Sequence, residues 1–134
     1  NLIRLKHLKG IGHADEVVKF MTDKIVVTDT REYVATLQAH GFTVVMLPEP
    51  EREYETYVNS LIVNDVLYVP VFGENGDPAA LDTYKNLNLG YKIVPVQSRR
   101  LATQGQGGVH CITMNYPPGP LNTVLNRLGA VEIF

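Results

Sequence analysis

The chain carries a single cysteine, Cys111, and no tryptophan. One thiol cannot close an intramolecular disulfide, so the small disulfide-stapled class is excluded, and CxxC zinc arrangements with it. The four histidines, His7, His13, His40 and His110, form no HExxH pair, so metal ligation has no support beyond chance. No apolar run approaches the ~18 residues of a membrane-spanning helix. The first residues lack the basic stretch and apolar core of a signal peptide. An excess of one charge sign is missing too: 12 basic against 14 acidic side chains give a net −2. Electrostatic attraction to nucleic acid or to anionic lipid is therefore not the theme, and neither partner is expected. Cytoplasmic placement is the default, with secretion open if a leader preceded Asn1.

What is present suits a packed core. At 134 residues, 45% hydrophobic and 19% charged, the chain has the length and composition of globular structure, not of a disordered tail. A β-branched run at 24–28 reads as a strand closed by Asp29. Asp29 or Thr30 is expected to cap a helix over 31–40, which Gly41 stops. A parallel strand over 42–47 then completes a strand–helix–strand unit. Strands at 60–63 and 66–72 flank Asn64-Asp65, a tight hairpin turn. Asp77-Pro78 opens a helix to about residue 87, and 91–96 is again a strand. Residues 60–96 thus read as a β-β-α-β module and 24–47 as most of another, and two units of similar build in tandem hint at an internal structural repeat. Residues 97–108 read as a polar, glycine-containing loop and 109–114 as a buried strand. A helix over 121–128 and a last strand over 131–134 follow.

Reactive residues concentrate in three places. Gly-His-Ala-Asp-Glu at 12–16 puts an imidazole, His13, two positions from a carboxylate, Asp15. The bland alternative is a helix capped by Asp15 with His13 merely exposed. Gly-Gly-Val-His-Cys-Ile-Thr at 107–113 delivers the lone thiol after glycines that let other groups approach the backbone. A thiolate nucleophile needs a cationic or proton-shuttling partner, whereas a structural free cysteine needs none. The third place is Tyr57-Val58-Asn59, ahead of the hairpin, where Asn59 otherwise reads as a turn or edge residue.

Together these segments resemble the guanidino-group-modifying enzymes, most nearly the agmatine deiminase and Porphyromonas-type peptidyl-arginine deiminase branch. The Gly-His-x-Asp string at 12–15, the Asn-bearing strand and hairpin at 57–73 and the nucleophile segment at 107–113 occur in that family's order. The resemblance implies an α/β fold: part of a five-bladed, pentein-type α/β propeller built from β-β-α-β modules. Residues 1–134 would be the C-terminal portion of its catalytic domain, with modules at about 1–50, 51–97 and 98–134. The missing Met at the start fits that expectation, as does the absence of a second acidic residue that the family draws from its first half.

The resemblance also implies chemistry. A guanidinium is planar and always charged, so it wants carboxylate acceptors, and Asp15 would be one. Cys111 would attack the central carbon. His13 would protonate departing ammonia and then activate water, and Asn59 would sit near the nucleophile or orient the substrate, with no metal and no organic cofactor required. Partners implied are a small guanidino compound or an arginine-containing peptide, with a homo-oligomer possible. An amidinotransferase and a non-catalytic binding fragment are the alternatives. Two departures stand out. Met114-Asn115 replaces the glutamines usual in agmatine deiminases, and His110, if strand-borne, would point away from Cys111 and support it from behind.

Overall fold

β-Branched residues build two small sheets in a computed structural model that describes residues 2–8 and 11–114. In the first, Ile25–Thr28 (β2) lies between Lys19–Phe20 (β1), antiparallel to it, and Thr43–Met46 (β3), parallel to it. The register sets Val26 against Val44 and Val27 against Val45. The β2–β3 crossover is a 3₁₀ turn, Arg31–Tyr33, running into a short helix, Val34–Ala39 (α1). Tyr33 and Leu37, four residues apart, bury one face of it against Val18 and Val26. Thr30 stands at the N-cap but makes no side-chain cap bond. The Thr30 hydroxyl donates instead to Asp29 Oδ1 at 2.9 Å, and Asp29 Oδ2 accepts from Thr56 Oγ1 at 2.7 Å. All three residues are buried, and this carboxylate ties the first unit to the second.

The second sheet repeats the plan. Leu61–Val63 (β4) pairs antiparallel with Val66–Val71 (β5), which pairs parallel with Lys92–Gln97 (β6). Asn64 takes a left-handed φ of 51° in the tight turn, a conformation that Asn tolerates. Pro70 sits within the central strand without breaking the ladder, because β4 ends its pairing at Tyr68 and no partner there needs its missing N–H. The crossover helix, Gly76–Asn86 (α2), begins beside Asp77, whose carboxylate reaches back to the N–H groups of Phe72, Gly73 and Glu74. Both units are thus β-β-α-β with identical pairing. The strand that completes the first, β1, is two residues long, too short for alternation to reveal. One core runs through both, with Val27 and Leu47 from the first and Tyr57, Leu67, Phe72 and Tyr84 from the second.

Two expectations fail beyond β6. The segment read as a loop carries a helix, Arg99–Gly105 (α3), which turns Ala102 inward and ends at Gln106 in a left-handed C-cap of φ 54°. Its glycines lie at the end of the helix and beyond it, leaving Arg-Arg-Leu-Ala-Thr-Gln free to be helical. Residues 109–114 form no strand: they turn, with Thr113 N–H donating to His110 O at 3.0 Å. Val109 is buried, but Cys111, Ile112 and Met114 face outward. The expected helix at 121–128 and strand at 131–134 lie outside the described residues. Among those described, no helix is long and apolar enough to cross a membrane.

Candidate active site

Each unit's first strand is preceded by an irregular segment, and these segments converge. Ahead of β1 a single 3₁₀ turn, Ala14–Glu16, presents Asp15. Ahead of β4 the segment 48–60 carries Asn59, two residues before the strand and wholly buried. After α3 the glycines at 105–108 lead to His110 and Cys111. Asn59 is the hub. Its Nδ2 donates toward Asp15 Oδ2 at 3.0 Å, the Asp15 carbonyl at 3.2 Å and Cys111 Sγ at 3.1 Å. Its Oδ1 accepts from the backbone N–H of His110 at 2.9 Å and of Cys111 at 3.3 Å. A primary amide carries a two-proton donor and an acceptor on separate atoms of one rigid plane, which suits it to both roles.

Asp15 Oδ2 also meets His110 Nδ1 at 2.8 Å and Cys111 Sγ at 3.4 Å. None of these bonds falls on Oδ1. Burial pushes the Asp15 carboxyl up, but hydrogen bonds from His110 and Cys111, with the His110 charge, hold it below its ordinary value. Cys111 goes the other way. Partial burial raises its pKa, and Asp15 adds to the rise against hydrogen bonds at Gly108 and Asn59 that favour the thiolate. Lys19, on β1, is drawn down by burial while the Asp15 charge pushes it back up.

The close approach depends on glycine. A Cβ on Gly108 would stand 2.7 Å from Asn59 Oδ1, and one on Gly107 would stand 2.9 Å from Cys111 Cβ. Neither glycine has a positive φ, so space and not backbone conformation is what they supply.

Of the residues singled out in the sequence, Asp15, Asn59 and Cys111 come together. His13 stands outside their hydrogen-bond network, exposed at the start of the 3₁₀ turn and lining a cavity of ≈ 210 Å³ with Leu5, His7 and Tyr33. His110 departs from expectation. Because 109–114 is a turn, its ring is not held on the face opposite Cys111 but bonds Asp15 directly. The double glycine ahead of it was the available signal, since such a pair disfavours a regular strand. Among the described residues no group of His, Cys, Asp and Glu side chains is arranged to hold a metal ion.

Known proteins share this arrangement of segments. Residues 5–117 match the model of the Porphyromonas-type peptidyl-arginine deiminase family. A Vibrio parahaemolyticus protein bearing an agmatine deiminase name is 37% identical over 67 residues, half of this chain and 18% of its own length. A Mycoplasma capricolum protein of the same name is 32% identical over 88 residues, 63% of this chain and 24% of its own. The chain therefore spans about a quarter or less of these curated relatives. Among solved structures, a Porphyromonas gingivalis protein named as an arginine deiminase superposes with TM-score 0.65 at 27% identity, over 79% of this chain and 38% of that one. Campylobacter jejuni agmatine deiminase superposes with TM-score 0.64 over 74% of this chain and 37% of that one, its 23% identity speaking for the fold alone. With the family's model matched across most of its length, this chain belongs to the Porphyromonas-type peptidyl-arginine deiminase family.

Proposed function

We propose that the chain is the nucleophile-bearing portion of a deiminase that converts a guanidino group, of agmatine or of peptidyl arginine, to a ureido group and releases ammonia. The observation that carries this reading is the meeting of Cys111 Sγ, the Asp15 carboxylate and the Asn59 amide within 3.4 Å of one another. In this reading a guanidinium docks its N–H groups on Asp15, whose Oδ1 takes no bond within the cluster. The arriving cation offsets the Asp15 charge that disfavours the thiolate, so nucleophile and substrate activate each other. The Cys111 thiolate attacks the central carbon, and the tetrahedral adduct expels one nitrogen as ammonia, leaving a thiouronium ester. Water then adds to the same carbon, the C–S bond breaks, and the thiolate returns with a ureido product.

His13, two residues from Asp15 on an exposed segment, is assigned the proton for ammonia and the activation of water. His110 is the second candidate for that role, favoured by its 2.8 Å contact with Asp15. The two units described here, with 98–134, are placed as three modules of a five-bladed propeller. The test is turnover of agmatine, free arginine and an arginine-containing peptide by the full-length gene product, read as ureido product and ammonia. Cys111→Ser abolishes both, and His13→Ala compared with His110→Ala decides between the histidines. Undiminished ureido formation by Cys111→Ser overturns the proposal.

A further inference from the structure

A second ionisable cluster takes no part in the proposed chemistry. Glu55 is completely buried and the Glu74 side chain is 3% exposed. Among the described residues, Glu55 Oε1 and Oε2 and Glu74 Oε2 find no hydrogen-bond partner. The groups facing them are two guanidiniums. Arg99, which opens α3, donates from Nη2 to Glu74 Oε1 at 3.3 Å and from Nε to Phe72 O at 2.6 Å, with Nε 3.7 Å from Glu55 Oε1. Arg52, more than half exposed, stands 3.9 Å from Glu74 Oε1. Two buried carboxylates cannot bond each other without a proton between them, and unpartnered buried charge is costly. One added proton turns Glu55 into a donor for Glu74. Burial and the Glu74 carboxylate, against the pull of Arg99 and Arg52, push Glu55 up to about 7.

The cluster's place in the chain gives this proton a consequence. Glu55 precedes Asn59 by four residues, and α3 runs from Arg99 to the glycines ahead of Cys111. We propose that Glu55, Glu74 and Arg99 are positioning residues for Cys111: one proton held between the carboxyls, braced by Arg99, clamps the segment bearing Asn59 to the helix that leads to the nucleophile. The proposal rests on the reading of Cys111 as nucleophile. Loss of the proton leaves two buried anions in repulsion, loosens the clamp and weakens the bonds from His110 and Cys111 N–H to Asn59 Oδ1.

Glu55→Gln supplies the donor permanently at the same shape. In the full-length gene product it is expected to match the parent's kcat near roughly pH 6 and to exceed it by about threefold or more near pH 8.5, with KM for agmatine unchanged. Arg99→Lys, which cannot span Phe72 O and Glu74 together, is expected to lose part of kcat, and Arg99→Ala more. Superimposable kcat–pH profiles for Glu55→Gln and the parent overturn the proposal. A parent without deiminase activity counts against the nucleophile reading instead, and the clamp is then judged by melting. A parent midpoint that falls by several degrees between about pH 5 and 8, with Glu55→Gln level, supports it, and equal slopes overturn it.

Discussion

Asn59→Asp is the sharpest perturbation of the candidate site, because it changes charge and donor capacity while keeping shape. The new carboxylate would stand where Asn59 Nδ2 now lies, 3.0 Å from Asp15 Oδ2. Two unit charges at that separation repel by about 5 kcal/mol at an effective dielectric of 20. The Asp15 side chain is 29% exposed, and solvent on that side screens the repulsion to roughly half. About 2–3 kcal/mol lifts the second ionisation of the pair by roughly two pH units above the ordinary carboxyl range, so the pair shares one proton in mildly acidic solution and stands as two repelling anions at neutral pH. At neutral pH the repulsion drives Asp15 from its place beside Cys111, and Cys111 Sγ has lost the amide donor. A drop in kcat/KM of about two orders of magnitude for agmatine is expected. The sign of the pH effect follows from linkage: a carboxyl pair with raised pKa contributes stability at low pH and loses it as pH rises. The variant should therefore melt closer to the parent at about pH 5 than at pH 8, by a few degrees. Ureido product formation and thermal melting at both pH values are the assays. A variant within threefold of the parent's kcat/KM, melting in parallel with it, would falsify the role given to the Asn59 amide.

Further outcomes follow from neighbouring contacts. Gly108→Ala pushes a methyl to 2.7 Å from Asn59 Oδ1, and overpacking of this kind costs about 1–3 kcal/mol, read as a lowered melting midpoint with loss of turnover. Asp15→Asn removes a charge that raises the Cys111 pKa, so iodoacetamide should alkylate Cys111 severalfold faster near pH 7 while turnover is lost. Because the Asp15 pKa lies below its ordinary 3.8, the stability it contributes is present above about pH 4 and is lost as pH falls further, and Asp15→Asn should flatten that acid limb of the melting curve. Tyr57→Phe deletes a 3.0 Å bond to Asp77 beside the turn after β5 and should cost about 1 kcal/mol without changing which guanidino substrate is used.

Much of this architecture was legible because its cues are local. The β-branched run at 25–28 and the Asn64-Asp65 turn each specify their element with few residues. What escaped depends on partners far along the chain. Asp29 has the residue type of a helix cap, and only the folded chain shows Thr56 competing for it. α3 was hidden by the glycines at its end, which biased the whole stretch toward loop. At the site, residue types named Asp15, Asn59 and Cys111, but the placement of His110 against Asp15 follows from a turn that an apolar Val-His-Cys-Ile-Thr string disguised as a strand.

The Asn59 hub also bears on how the site comes into being. Its bond to Asp15 spans 44 positions and its bond to Cys111 spans 52, whereas each crossover closes within one module. High sequence separation makes these among the slowest contacts to form, since loop closure precedes any reward. Each sheet can pair its strands alone, but neither can make the thiol's surroundings. Order at Cys111 is therefore expected late in folding, and a native-like environment for that one sulfur would report that both units have docked.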